Sequence, residues 1–340
     1  MNLPTVKQLR YLVAVDETRH FGKAAELCYV TQSALSTGIK ELETLLGVQL
    51  IDRTNKQVTT TQLGKQVATQ ARLSLQDIES IVELAANDSQ SLSGTLRVGV
   101  IPTIAPFMLP RILPEVRTRY PDLYVYLKED TTDNLHAQLM DGELDLLMVA
   151  FPYDLSGVET LTLFRDNFVL AHKNNTKLIE PDNFSINRLN RESLMLLEEG
   201  HCLRSHAMQG CKIKRRDNIS RFAATSLFTL VQMVDCDLGV TLLPEMAVDS
   251  SLLKCSGVQT KPLKGDNYRE IGLAWRRGSA RSADYTELGE LITECGQNPN
   301  QNPNQNPGQN PGQNPDPNAD PNPGTEATGN EPVLATAESA

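Results

Sequence analysis

Cys202 and Cys211 lie nine positions apart in a segment that reads Glu199-Gly200-His201-Cys202-Leu203-Arg204, then Ala207-Met208. A thiol reacts as its thiolate, and neighbouring positive charge or a helix N-terminus lowers its pKa. Cys202 has His201 and Arg204 as near neighbours, and a helix beginning at Leu203 would aim its dipole at the sulfur. This arrangement predicts a reactive cysteine. If residues 203–211 are helical, the two cysteines are roughly 13 Å apart at 1.5 Å per residue. A disulfide needs Cα atoms about 5.5–6 Å apart, so oxidation would have to unwind the segment. Three other readings compete. Both cysteines could be inert and buried, or they could form a zinc site with His201 and His206, although the C-x2–4-C pair usual in such sites is missing. Alternatively, Cys202 is a catalytic nucleophile with nothing nearby to supply a processing site.

A second group points to nucleic acid. A predicted helix from the N-cap Thr31 to Gly47 carries Leu35, Ile39, Leu42 and Leu46 on one stripe and Gln32, Ser33, Ser36, Thr37 and Lys40 on the opposite face. Gln can bond adenine through two hydrogen bonds, Ser and Thr reach bases or phosphates, and Lys neutralises a phosphate. Arg53 and Lys56 fall on a predicted hairpin wing, where they could grip the backbone. Residues 1–72 hold nine basic and six acidic side chains, a local excess of positive charge in a chain of net charge -10. The competing reading is a solvated face of an ordinary helical domain.

The elements that must position these residues follow from periodicity. Thr5 and Gln8 fit a capping box ahead of Leu9, Leu12 and Val13. A second helix starts near Phe21. Val67, Ala71, Leu75, Ile78, Val82 and Ala85 recur at helical steps through a long helix from Thr61 to about Asp88, with a narrow seam suited to pairing. Ser89 to Gly94 reads as a polar hinge. Strand-like runs then alternate with helical stretches, which predicts parallel α/β units. Beyond Gly296 the Gln-Asn-Pro repeats offer nothing to bury, and residues 297–340 are predicted to be disordered. No run reaches the length of a membrane span, and residues 1–10 lack the apolar core of a secretory signal. A cytoplasmic protein is therefore expected, and static disulfides are not. Of the remaining cysteines, Cys28 and Cys236 are read as core, Cys255 and Cys295 as unpaired, and Trp275 as packing.

Ala24-Ala25-Glu26-Leu27, Thr31-Gln32-Ser33-Ala34-Leu35-Ser36, Ile39, Leu42-Glu43, Leu46-Gly47 and Asp52-Arg53-Thr54 together resemble the signature of LysR-type transcriptional regulators. The resemblance spans residues 4–296. It implies an all-α winged helix-turn-helix DNA-binding domain (1–60) and a linker helix that dimerises (61–93). A two-lobed, periplasmic-binding-protein-like α/β effector domain (94–296) follows, with lobe I at about 94–165 and 267–296 and lobe II at about 166–266. Ile101-Pro102-Thr103, Glu129–Thr132, His201 to Arg204 with Cys211, and Ala224-Thr225-Ser226-Leu227 resemble the hydrogen-peroxide sensors of this family. That implies attack of Cys202 on peroxide and capture of its sulfenic acid by Cys211. Thr103, Thr132 and His201 would help hold the peroxide, with Arg204 beside them. Arg269 is a candidate for a distant cation facing the thiolate, a surface arginine being the other reading. Ser205 stands where these sensors carry an aspartate, so one polar partner is absent. The implied partners are double-stranded DNA, hydrogen peroxide, RNA polymerase, thiol reductants and further copies of the chain as a dimer of dimers. No cofactor or metal is implied. The alternatives are a regulator sensing a small metabolite, a thiol peroxidase, and a solute-binding protein.

Overall fold

The computed structural model describes residues 2–52, 58–86, 92–181, 184–213 and 215–297. The predicted disordered tail beyond Gln297, the wing residues Arg53 and Lys56, and residues 89–91 of the Ser89–Gly94 hinge lie outside them.

Three helices open the chain: α1 (Val6–Thr18), α2 (Phe21–Leu27) and α3 (Gln32–Leu46). The capping box forms, with Gln8 N–H donating to Thr5 Oγ1 at 3.2 Å and Thr5 N–H to Gln8 Oε1 at 3.0 Å. Thr31 caps α3 and Gly47 ends it in the left-handed region at φ 70°, a conformation that favours glycine. Leu35, Ile39 and Leu42 are fully buried against Leu12 and Val15, each stabilising the unit by about 2 kcal/mol. Leu46 departs from the predicted stripe and is 38% exposed, because it lies in the last turn, beyond the partners that cover Leu42. Gly38 lets α1 approach closely: a Cβ there would lie 2.7 Å from the Tyr11 ring. A short antiparallel pair, β1 (Ile51–Asp52) and β2 (Thr59–Thr60), follows. Glu43 Oε1 accepts from the N–H groups of Leu50 and Ile51 (2.8 and 3.0 Å), tying α3 to this pair.

Helix α4 (Gln62–Ala86) packs on α1 and runs to the α/β portion. Its seam residues Ala71 and Leu75 are buried within the chain itself. Val82 and Ala85 lie outside the residues whose side chains are described.

The elements that follow are β3 (Gly94–Val100), α5 (Ala105–Arg119), β4 (Leu123–Glu129), α6 (Thr132–Met140), β5 (Leu146–Phe151) and β6 (Val158–Lys173). Next come β7 (Leu194–Leu197), α7 (Cys202–Gly210), β8 (Ile219–Ala224), α8 (Leu227–Asp235), β9 (Val240–Pro244) and α9 (Ser251–Lys254). The chain returns through β10 (Val258–Pro262), β11 (Tyr268–Arg276) and α10 (Ser282–Gln297). Among the described residues the strands form one path, β4-β3-β5-β11-β6-β9-β7-β8, with β10 on β6. The expected parallel units form, and antiparallel strands join them. The βαβ pairs β3–β4, β3–β5, β7–β8 and β7–β9 are parallel, but β11 runs antiparallel to β5 and β6, and β6 antiparallel to β9 and β10. Local alternation could not reveal this, since direction is set by how the chain re-enters the sheet. The two lobes have separate cores. One gathers Leu96, Leu146 and Ile271; the other gathers Leu170, Leu196 and Leu242. Strand β6 is long enough to belong to both. Cys236, read as core, is exposed at the end of α8: Leu227, Leu230, Val231 and Val234 form the buried stripe, and the C-cap falls off it. Cys28 packs against the helical core as expected, and Trp275 is buried beside Tyr285 with ring centroids 5.5 Å apart.

Candidate functional site

The polar face of α3 stands clear of the helical core. Gln32, Ser33, Thr37 and Lys40 are exposed and Ser36 is half-buried. Tyr29, which the sequence reading left aside, sits at φ 54° in the turn before α3 and is 95% exposed. Two helices joined by this turn, with short polar groups on the outer face of the second, match the geometry that enters a major groove.

The sulfur site is assembled from five elements. Cys202 is the first residue of α7, one position earlier than the sequence suggested, and is only 5% exposed. The backbone N–H groups of Cys202 and Leu203 act on its sulfur and favour the thiolate. Arg269, carried by β11, adds its charge in the same sense. Burial outweighs both and holds the thiol above its ordinary value, because a low-dielectric surround disfavours the charged form. The resting group is thus a protonated thiol surrounded by features that would stabilise the anion once formed.

Arg269 is no surface arginine. It is 1% exposed, its Nε donates to Asp166 Oδ2 at 2.9 Å, Nη1 donates to Thr103 Oγ1 at 2.7 Å, and Nη2 to the Thr103 carbonyl at 2.9 Å. Asp166 also accepts from the Met246 N–H at 3.1 Å. Thr103 follows β3, at the carboxyl end of a strand, where open α/β sheets bind ligands. Thr132, first residue of α6, is 1% exposed and its hydroxyl has no partner that meets hydrogen-bond geometry. It nonetheless faces the Cys202 sulfur and favours its thiolate. A buried hydroxyl with unmet capacity is costly, which marks a place where a small polar molecule would be held.

One placement departs from expectation. Arg204 Nη1 donates to the Leu197 carbonyl at 3.0 Å and its side chain lines an outer groove with Arg216 and Met208. The cation that chiefly acts on the sulfur is Arg269, not Arg204 or His201. Proximity in sequence misled here, because a helix start turns consecutive side chains in different directions. His201 is half-buried at the N-cap of α7 and lines a cleft of about 330 Å³ with Thr103, Phe107, Thr225 and Leu252. Cys211 caps the far end of α7, is 7% exposed, and burial pushes its thiol up to about 12. Both cysteines are free, with the helix between them.

Sequence reasoning missed Asp166, whose pairing with Arg269 spans 103 positions and leaves no local signal. It missed Tyr153, which donates to Asp133 at 2.7 Å, its hydroxyl pKa raised chiefly by burial and in small part by Cys202. It weighed His206 only as a zinc ligand, though its place one helical turn after Cys202 was legible.

Residues 6–65 match the family described as bacterial regulatory helix-turn-helix protein, lysR family, and residues 89–296 match the LysR substrate binding domain. The chain belongs to the LysR family. Among its LysR-family relatives, the HTH-type transcriptional regulator EstR of Acinetobacter baylyi is 38% identical over 85% of this chain and 96% of its own. The DNA-binding transcriptional dual regulator OxyR of Escherichia coli is 38% identical over 84% of this chain and 94% of its own. Solved OxyR structures are similar over most of the chain. A full-length OxyR of Pseudomonas aeruginosa with a cysteine-to-aspartate substitution is 32% identical, with TM-score 0.73 over 86% of this chain and 95% of that one. A hydrogen-peroxide-bound cysteine variant of Corynebacterium glutamicum OxyR is also 32% identical, with TM-score 0.59 over 88% and 96%.

Proposed function

We propose that this chain is a cytoplasmic DNA-binding regulator that reads hydrogen peroxide at Cys202 and acts on transcription rather than as an enzyme. The observation that carries the reading is a buried thiol at a helix N-terminus, backed by Arg269 and faced by the orphan Thr132 hydroxyl, with a second buried thiol at the other end of the same helix. Relatives named OxyR support it. Peroxide enters from the inter-lobe cleft, held by Thr132, by Thr103 on its Arg269 anchor, and by His201. The Cys202 sulfur attacks one oxygen, giving a sulfenic acid and water. Helix α7 then frays, Cys211 reaches the oxidised sulfur, and a disulfide forms with loss of a second water. The disulfide cannot coexist with an intact α7, so a second conformation is locked.

In this reading residues 1–60 contact DNA through Gln32, Ser33, Ser36, Thr37 and Lys40, with Arg53 and Lys56 on the backbone. Residues 61–93 couple and dimerise, and 94–296 sense. Assembly as a dimer of dimers, contact with RNA polymerase and resetting by cellular thiol reductants complete the cycle. The test is mass spectrometry after brief low-dose peroxide, paired with footprinting. A Cys202–Cys211 linked peptide together with an altered footprint supports the proposal; an unchanged pair of thiols overturns it.

A second reading has one observation of its own, the cleft of about 330 Å³ walled by Pro102, Phe107, Leu227 and Phe228. A small apolar metabolite held there would make the cysteines incidental, and Cys202→Ser would then leave the response intact.

A further inference from the structure

We propose that His206 is the proton acceptor for Cys202, its Nδ1 taking a proton from the thiol by way of the bound peroxide as the sulfur attacks and returning it to the leaving oxygen. This rests on the peroxide-sensing reading above and names a residue which that reading lacks.

The argument begins with position. Cys202 and His206 are four residues apart on α7, so they share a face. A helical side chain leans back over the turn preceding its own Cα, which carries the imidazole toward the turn that holds Cys202. Both residues are buried, His206 at 4% exposure. The ring is then oriented. Its Nε2 lies 2.8 Å from the Pro152 carbonyl, and a carbonyl only accepts, so Nε2 carries the hydrogen. Nδ1 is left with a lone pair, and among the described residues no group donates to it, the Cys202 thiol included, so a small molecule between sulfur and ring has to complete the path. This buried nitrogen and the Thr132 hydroxyl are thus two polar atoms without a hydrogen-bond partner on different helices, α7 and α6; Thr132 acts on the Cys202 sulfur, and His206 lies one helical turn along α7 from it.

The other titratable groups of the neighbourhood are engaged. Asp166 of β6 is bound to Arg269 of β11, and Asp133 of α6 accepts from Tyr153. His201 of α7 is half-buried and faces the cleft. Burial, with a smaller contribution from Arg269, lowers the His206 pKa. The ring therefore stays neutral, in the form that can accept a proton. The exposed Ser205 beside it leaves no carboxylate at that position.

The step balances. As the sulfur lone pair bonds to one peroxide oxygen, that oxygen takes the Cys202 S–H proton and gives up its own hydrogen to Nδ1, and the O–O bond breaks with its electron pair on the distal oxygen. That hydroxide takes the proton from Nδ1 and leaves as water. Sulfur is oxidised by two electrons and peroxide reduced by two.

The test measures sulfenate formation in the full chain carrying Cys211→Ser, from about pH 5 to 9, where histidine titrates. His206→Gln is compared with the unaltered histidine, since the Gln amide can still donate to the Pro152 carbonyl but cannot take a proton. The expected result is a rate loss of about a hundredfold near neutral pH, shrinking as pH rises and the thiol ionises unaided. The histidine form should also show an acid limb, falling below the ordinary histidine pKa, that disappears in His206→Gln. Denaturation midpoints check that the variant is folded, and the acid limb of the histidine form is a readout that needs no variant. Equal rates and equal pH profiles overturn the inference, as does an acid limb that vanishes in His201→Gln but persists in His206→Gln. Failure of Cys202 to oxidise even with His206 present overturns the underlying peroxide reading instead.

Discussion

At the scale of residues, the site depends on charges that the fold buries and pairs. Removing one partner of a buried ion pair leaves the other uncompensated, at a cost of about 3–5 kcal/mol. Arg269→Met should therefore lower stability by about that amount in chemical denaturation. Arg269→Met with Asp166→Leu should recover most of the loss, because both desolvated charges are gone. The double variant should still react slowly with peroxide, since Thr103 has lost its anchor and the sulfur its cation. If it reacted at the original rate, Arg269 would be a purely structural residue. The cysteines make a separate prediction with a definite sign. Burial raises the Cys211 thiol from 9.0 to about 12 and raises Cys202 also. Between those values the unfolded chain has released protons that the folded chain retains, so the unfolded state binds fewer and stability falls as pH rises. The stability conferred by these protonated thiols is complete below about pH 9 and is lost on the way to about pH 12. Urea denaturation across that range should show the decline, and Cys211→Ala should reduce its slope.

At the scale of elements, α7 is the part that the proposed cycle requires to move. Its residues are bonded as a helix that keeps the two thiols apart, and its fraying limits the second oxidation step in the proposed cycle. Gln209 is exposed on α7, so Gln209→Gly lowers helix propensity by about 0.6 kcal/mol without touching the site. Disulfide closure should speed up about two- to threefold while the first step is unchanged, as measured by rapid quench and thiol counting. An unchanged closure rate would mean that α7 does not have to fray. Helix α3 separates its contributions differently. Lys40→Ala should weaken binding to all duplexes and reduce the salt slope by about one. Gln32→Ala should cost about 1–3 kcal/mol only at sites with the preferred base. Fluorescence anisotropy on matched and mismatched duplexes at several salt concentrations distinguishes the two.

At the scale of the molecule, β11 touches both the sulfur site and the linker helix. Arg269 lies near its start, and Arg276 at its end donates to Gln76 Oε1 of α4 at 2.7 Å and to the carbonyls of Leu139 and Leu144. Gln76 Nε2 in turn donates to the Gly142 carbonyl at 2.7 Å, and Arg72 Nη1 to that of Asp141 at 3.0 Å. Arg72 also approaches Asp16 and Glu17 of α1 (3.6 and 3.5 Å). A rigid strand and a polar clamp thus join the sensing lobe to the DNA-reading helices, the contiguous connection that coupling needs. Gln76→Ala removes the clamp's bonds to Arg276, the Gly142 carbonyl and Asp145 and leaves the Arg276–carbonyl bonds in place. Disulfide formation should be preserved, while the difference between reduced and oxidised footprints should shrink. A full difference in the variant would show that the signal travels by another route.

Much of this was determined by short-range pattern. The capping box at Thr5, the Leu35–Ile39–Leu42 stripe with its polar opposite face, the Gly47 stop and the helix separating Cys202 from Cys211 all follow from interactions within a few residues. Local chemistry specifies them wherever the segment sits. Only the tertiary structure decided that Arg269 rather than Arg204 stands behind the sulfur and that Asp166 neutralises it. It alone also decided that β11 runs antiparallel between the lobes and that Cys236 faces solvent. These outcomes depend on which distant strand lands beside which. A buried charge has to be compensated by whatever the sheet brings within about 3 Å, and spacing along the chain carries no record of that choice.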